Sequence, residues 1–177
     1  LYENRFKVLK ICHENFKNNI PEDFVLFCSK NAFWLDDFSL FMAIKDKNQG
    51  AAWYTWEKEL KKREQAAIEK AKKDLAEDIE FYKMQQYFFF KQWEKLKEYA
   101  HKNGITLIGD LPIYVASDSA DIWSNPNQFQ LDKDYNMESV AGCPPDAFSD
   151  DGQKWGNPLY NWESMEKDGY SWWCERI

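Results

Sequence analysis

Residues 51–103 contain neither glycine nor proline and are rich in Glu, Lys, Ala, Leu and Gln, a composition that predicts helix. Within them Ile68, Ala71, Leu75, Ile79, Tyr82, Phe89, Trp93, Leu96 and Ala100 recur at three- and four-residue steps, with only Gln86 interrupting the stripe. One face is therefore expected to be buried along its length. A single helix over this interval would be roughly 80 Å long at about 1.5 Å per residue, longer than a compact domain of this size. A break is expected near residues 58–64. Upstream, Phe6, Leu9 and Phe16 stand at helical spacings in residues 5–19, Pro21 ends or restarts a turn, and WLDDFSLFMAIK predicts an amphipathic helix over residues 31–45. The first hundred residues read as helical.

After Gly104, a plausible helix C-cap, the pattern changes to the short apolar run ITLIG and then to an irregular region holding five of the six prolines. Helix, glycine, buried strand and functional loop make up half of a β/α repeat. The stretch LIGDLPIYVASDSADIW starts as a buried strand would and turns acidic within a dozen residues, which suggests a strand end facing something polar. Residues 110–151 carry nine acidic residues against one base, Lys133.

The chain has 177 residues, enough for one domain with a proper core, and its 44% hydrophobic and 18% aromatic content excludes a disordered segment. A formal charge of −7 argues against nucleic acid as a partner, because such binders need a basic face to neutralise phosphates. Cys12, Cys28, Cys143 and Cys174 form no CxxC pair, and with only His13 and His101 as further soft ligands they read as free thiols in a reducing cytoplasm and not as a zinc site. No apolar run approaches the ~18 residues of a membrane span, and no basic region precedes a signal-like core. The expectation is a soluble, untargeted chain. It starts at Leu1 and ends in WWCERI, which reads as a segment cut from a longer protein.

Asp110 follows the strand-like run and precedes Leu111-Pro112. At the C-terminal end of a barrel strand, such a carboxylate is a candidate substrate contact; equally, it could bond nearby backbone. DSAD, residues 118–121, reads as the cap of a helix starting near Ala120. DKDYNME, residues 132–138, starts like a calcium loop, but Met137 stands where glycine is needed and Cys143 where a bidentate Glu belongs, which excludes calcium. In GCPPDAFSDDGQKWGNPLYNW, residues 142–162, two prolines stiffen the loop, while Gly152 and Gly156 permit sharp turns around Phe148, Gln153, Trp155 and Asn157. Rings for the C–H faces of a sugar and amides for its hydroxyls suit carbohydrate; the alternative is a loop in which Trp155 and Tyr160 plug a core. No Ser/His/Asp set, P-loop or dinucleotide fingerprint is present.

GITLIGDLPIYVASDSADIW, VAGCPPDAFSDDGQKWGNPLYNW and GYSWWCERI, in this order and spacing, resemble the 4-α-glucanotransferases known as amylomaltase or disproportionating enzyme, of the α-amylase superfamily. NAFWLDDFSLFMAIK and FFFKQWEKLKEYAHKNGI extend the resemblance over nearly the whole chain. It implies an α/β fold: part of a (β/α)8 TIM barrel with a mainly helical insertion subdomain, the segment itself being predominantly helical. Residues 1–80 would be the insertion, 81–111 a barrel helix and strand with residues 107–111 as the strand, and 112–177 the rim loop and lid returning to the barrel.

By the same resemblance Asp110, Gln153, Trp155 and Asn157 contact the glucan, and Pro144, Pro145, Asp146 and Phe148 belong to a lid loop. Ala147 departs from the family, many members of which carry Tyr there. Retaining transfer of α-1,4-glucan segments between maltodextrins needs a nucleophilic carboxylate and an acid/base carboxylate about 5–5.5 Å apart; the family's pattern puts both C-terminal to this segment. No catalytic residue, cofactor or metal is assigned to the segment, and its partners would be α-1,4-glucans and the remainder of the parent barrel. The rival readings are a non-catalytic α-glucan-binding domain and an α-glucan hydrolase of the same superfamily.

Overall fold

The structure, a computed structural model, describes residues 2–177, with side chains from Asn4 onward. In chain order the regular elements are α1 (Tyr2–Lys17), α2 (Glu22–Lys30), α3 (Ala32–Lys47), α4 (Lys58–Lys61), α5 (Gln65–Asp74), α6 (Ala76–Lys102), α7 (Ala120–Ser124), β1 (Val140–Cys143), β2 (Gln153–Pro158), α8 (Trp162–Lys167) and α9 (Ser171–Arg176). The chain is mostly helical, with one small two-stranded sheet. It forms two compact units, residues 1–49 with 68–109 and residues 50–67 with 110–177.

In the first unit α1, α2 and α3 pack on α6. Phe16, Phe24, Phe81, Tyr82, Met84 and Tyr87 form a buried cluster, with Phe16 edge-on to Phe24 at 4.9 Å and Phe24 edge-on to Tyr87 at 5.5 Å. Leu35, Leu40, Phe41 and Ile44 line the buried side of α3. The cluster's rim is polar. Asp23 accepts from the Tyr87 hydroxyl at 2.8 Å and from Lys91 Nζ at 2.7 Å, and these bonds hold the Asp23 carboxyl below the ordinary carboxylate range. Buried His13 lies 3.2 Å from Glu80 Oε1.

Helix α6 ends as its sequence predicts. Gly104 stands at φ +71°, its N–H donates to the His101 carbonyl and the Ile105 N–H donates to the Ala100 carbonyl, a Schellman closure.

Three expectations meet a different outcome. The stripe from Ile68 to Tyr82 is buried or half-buried, but Phe89, Trp93 and Leu96 are 58%, 39% and 53% exposed. Helices α2 and α3 cover α6 as far as Phe90, which lies 5.8 Å from Phe27 and 5.7 Å from Trp34; past it the stripe is exposed at Trp93 and Leu96 and is buried again only at Ala100. The expected break holds α4 and a turn over residues 62–64, with Arg63 at φ +54°. Yet residues 51–57 are not α-helix: Trp53–Thr55 form a 3-10 turn because the Trp53 N–H donates to Asp118 Oδ1 and its indole N–H to the Ser117 carbonyl. Tertiary hydrogen bonds override local propensity there.

The third correction concerns residues 107–111. They run without regular secondary structure, and Leu107, Ile108 and Leu111 are 42%, 94% and 40% exposed. A strand exists only through inter-strand hydrogen bonds, and no described segment of the chain pairs with this one.

The second unit packs around aromatic side chains. Trp123 is fully buried, donates its indole N–H to the Leu60 carbonyl at 3.0 Å, lies edge-on to Trp56 at 5.7 Å and carries the Arg63 guanidinium 4.1 Å above its ring. Phe129, Tyr160, Met165 and Trp172 form a second knot. Strands β1 and β2 are antiparallel, with Val140 opposite Pro158, Gly142 opposite Lys154, Cys143 opposite Gln153 and a bulge between Val140 and Gly142. Gly142 is required by close approach, since a Cβ there would lie 2.3 Å from the Gln153 carbonyl oxygen. All four cysteines are free thiols.

Candidate glucan-binding hairpin

The loop 144–152 joins β1 to β2, so the residues read as a lid occupy the tip of a hairpin and three of the four read as sugar contacts, Gln153, Trp155 and Asn157, occupy its second strand; Asp110 lies outside the hairpin. The tip has internal order. Asp146 Oδ1 accepts from the Phe148 N–H at 2.9 Å and the Ser149 N–H at 3.0 Å, the Asp146 N–H donates to the Ser149 carbonyl, and Ser149 Oγ donates to the Gly152 carbonyl at 2.7 Å. The Asp146 carboxylate therefore shapes the loop. Phe148 is 93% exposed and Pro144 and Pro145 are exposed beside it, so apolar side chains stand in solvent among the exposed carboxylates of Asp146, Asp150 and Asp151.

On β2, Gln153 Oε1 accepts from the Trp155 indole N–H at 2.9 Å, which fixes that ring against its own strand. Trp155 is 49% exposed and 6.1 Å from Tyr114, centroid to centroid. The two readings of this loop thus divide between its two rings. Trp155 offers a face to solvent, whereas Tyr160, 3% exposed, is packed on Tyr114, Phe129, Trp162, Trp172 and Trp173. Burial raises the Tyr160 phenol above its ordinary range, with Arg176 opposing the shift.

Asn157 has a positional task besides any contact with a ligand. Its Nδ2 donates to the Val115 carbonyl at 2.7 Å. The Tyr160 hydroxyl donates to the Ile113 carbonyl at 2.7 Å, and Arg176 Nη2 donates to the Pro112 carbonyl at 3.0 Å while its guanidinium lies over Trp172 and Trp173. Three side chains, from β2, from the link that follows it and from α9, thus seize three carbonyls of the segment that follows Asp110, which is itself exposed. The sequence reading missed this clamp; the only signal for it was a tyrosine and an asparagine on opposite sides of Pro158 in a segment otherwise rich in turns.

DSAD does not cap α7 through its side chains. Ser119 occupies the N-cap position without a side-chain bond to the helix, and Asp118 Oδ1 is committed to the Trp53 N–H. Asp121 sits in the first turn, its carboxyl pushed up by burial and drawn back by Arg176. In DKDYNME the acidic side chains likewise serve a turn: Asp132 Oδ1 accepts from the N–H groups of Asp134 and Asn136, and these bonds, with those from the Asn136 amide, lower its pKa.

A family model described as 4-alpha-glucanotransferase matches residues 1–177. The chain belongs to the 4-alpha-glucanotransferase family. It is 48% identical over its whole length to a 4-alpha-glucanotransferase of Clostridium butyricum, of which it covers 37%, and 44% identical to one of Thermus thermophilus, of which it covers 36%. Over 81% of its length it is 46% identical to the chloroplastic/amyloplastic 4-alpha-glucanotransferase of Solanum tuberosum, covering 25% of that protein. Among solved structures, an amylomaltase from Streptococcus agalactiae in complex with acarbose matches all of the chain with a TM-score of 0.95 at 42% identity, and the chain covers 36% of it. The chain thus spans little more than a third of the length of the relatives it matches over its full extent.

Proposed function

We propose that this chain is the glucan-gripping part of a 4-α-glucanotransferase that passes α-1,4-glucan segments between maltodextrins, and that the segment 107–111, unpaired here, becomes a barrel strand when the remainder of the parent barrel supplies its neighbours. The observation that carries the reading is the β1–β2 hairpin, which presents a half-exposed Trp155 ring locked by the Gln153 amide, and an exposed Phe148 ring on its loop. A pyranose lays its C–H face on such a ring and gives its hydroxyls to flanking amides and carboxylates. In this reading Asp110, Gln153, Trp155 and Asn157 contact the glucan, and Pro144, Pro145, Asp146 and Phe148 form a lid over it. Residues 1–80 form the helical insertion, 81–111 a barrel helix and strand, and 112–177 the rim and lid.

The reaction needs no cofactor. A carboxylate attacks the anomeric carbon as a carboxylic acid protonates the departing glucan, and the 4-hydroxyl of an acceptor sugar then releases the glucan from the covalent intermediate. Both groups are supplied by the remainder of the parent barrel, and this segment contributes the grip on the sugar. A lid carrying the Phe148 ring favours a sugar acceptor over water by excluding solvent from the intermediate. Among the described residues no helix is long and apolar enough to cross a membrane, and a cytoplasmic maltodextrin enzyme fits that.

The test is incubation of the full-length protein with maltotriose, with chromatography of products and a count of reducing ends. Glucose together with longer maltodextrins at a constant number of reducing ends is the expected result. A rising number of reducing ends would make it a hydrolase, and binding without turnover a glucan-binding protein.

A further inference from the structure

The 50–67/110–177 unit contains a second aromatic recess, formed by none of the hairpin residues. Trp53, Tyr54, Ser117, Ile122, Tyr135, Asn136 and Met137 enclose a pocket of about 140 Å³. Its floor is buried and fixed: Ile122 is 1% and Trp53 2% exposed, and Trp53 is held by its N–H on Asp118 Oδ1 and by its indole N–H on the Ser117 carbonyl at 2.9 Å. Its walls are open, with Tyr54 43% and Met137 38% exposed. The Tyr54 and Tyr135 rings stand 6.0 Å and 6.4 Å from that of Trp53.

The lining includes polar groups that can pair with hydroxyls. Asn136 Nδ2 donates to the Asp132 carboxylate, at 3.0 Å to Oδ2, which fixes the amide and turns its Oδ1 away from Asp132 as an acceptor. Tyr54 and Tyr135 bring phenol hydroxyls, and Ser117 an alcohol, each able to donate and accept. Tyr135 is held at φ +62° at the end of the Asp132 turn, with Lys62 Nζ 5.7 Å from its ring centroid. A non-glycine residue in that region is strained, and glycine would close the same turn without that strain. The tyrosine side chain therefore contributes something that the turn itself does not require.

We propose that this recess is an additional carbohydrate site, which stacks one hexose unit of an α-1,4-glucan between Tyr54 and Tyr135 on the Trp53 floor and takes its hydroxyls on Asn136 and Ser117. The volume suits a single pyranose ring. The partner class rests on the glucan reading above, because a recess of this size and mixed ring-and-amide chemistry on a glucan-handling protein meets that ligand at the highest concentration. Such a site holds a long chain near the enzyme by adding a second, weak attachment, so its effect is felt on long glucans and not on trisaccharides.

The experiment compares the full-length enzyme with its Tyr54→Ala and Tyr135→Gly variants by native electrophoresis through gels containing glycogen, alongside maltotriose transfer and thermal unfolding. Tyr135→Gly relieves the backbone strain, so its melting temperature is expected to equal or exceed that of the parent, which separates a lost site from a lost fold. The expected result is at least a threefold weaker apparent affinity for glycogen in both variants, with maltotriose transfer within twofold of the parent. Unchanged glycogen retardation in both variants, or a parent that is not retarded at all, would overturn the proposal. The glucanotransferase reading fails separately, on the maltotriose assay of the parent; a parent inactive on maltotriose but retarded by glycogen through Tyr54 and Tyr135 would leave the carbohydrate site standing.

Discussion

Gly152 closes the 144–152 loop of the hairpin, and replacing it with alanine separates two costs that can be worked from the structure. The residue stands at φ +72°, where an L side chain costs about 1–2 kcal/mol. A Cβ there would also lie 2.5 Å from the Cys143 carbonyl oxygen, 2.9 Å from Pro144 C and 3.0 Å from Pro145 N. Ordinary carbon contacts begin near 3.5 Å. All three neighbours are backbone and two belong to a stiff proline pair, so the loop must move by roughly 1 Å, with an overpacking cost of about 1–3 kcal/mol. Gly152→Ala is thus expected to destabilise the closed hairpin by about 2–5 kcal/mol.

Gly156 is the internal control. It stands at φ +79° with nothing within 4 Å of a Cβ, so Gly156→Ala should cost only the backbone share, about 1–2 kcal/mol. The assay is native-state hydrogen exchange of the amides of β1 and β2. The difference of about 1–3 kcal/mol predicts opening that is roughly 5- to 150-fold more frequent in Gly152→Ala than in Gly156→Ala, at tenfold per 1.4 kcal/mol. Equal exchange in the two variants would refute the steric argument and leave backbone strain as the only effect.

Met84 is fully buried in the α1–α2–α6 cluster, so Met84→Ala should cost about 2–5 kcal/mol in urea unfolding, and a loss below ~1 kcal/mol would mean that the cavity collapses. Asn157→Ala leaves the carbonyl of buried Val115 without its 2.7 Å donor and should cost about 1–3 kcal/mol, read as a lower melting temperature; no change would show that water takes the donor's place. Asp121 has its folded pKa raised by burial, so the folded state holds this proton more tightly than the unfolded one. Its contribution is most favourable below the unfolded carboxylate value and declines as pH rises through the folded pKa. Asp121→Asn should therefore raise the melting temperature at pH 7 more than at pH 4, and a variant less stable than the parent at pH 7 would contradict this. Asp168 is the opposite case: the Gln128 amide at 2.6 Å and Ser171 lower its pKa, so its contribution is present at neutral pH and lost on acidification. Asp168→Asn should accordingly flatten the acid limb of the stability profile.

Helices α1 and α6 were legible because Phe6, Leu9 and Phe16 in the one and Tyr82 in the other stand at helical spacings and pack into one cluster, whereas α2, which adds Phe24 to that cluster, was not among the expected elements. The end of α6 was legible for a local reason: Gly104 alone supplies the left-handed residue that its Schellman closure needs. The candidate glucan contacts were found as residue types in a motif, and the grouping of Gln153, Trp155 and Asn157 on one hairpin follows from the glycines at 142 and 152 that let β1 and β2 approach, while Asp110 lies outside it.

Other features had no local signature. Whether Trp155 or Tyr160 faces solvent depends on which ring meets Phe129, Trp172 and Trp173, residues that periodicity does not link to either. The non-helical course of residues 51–57 depends on Asp118 and Ser117, more than 60 positions away, taking the N–H groups of Trp53. The same dependence leaves residues 107–111, expected as a strand, unpaired within this segment. An apolar run in sequence marks a segment that suits burial, but a strand requires hydrogen-bonding neighbours on its edges. The sequence alone determined the helical faces, the family and the turn chemistry, because each is set by residues close together or by a motif read as a unit. Only the tertiary structure decided which side chains are spent on holding backbone carbonyls and which remain open to a ligand, because one hydrogen-bonding group cannot serve both and its partner arrives from a distant part of the chain.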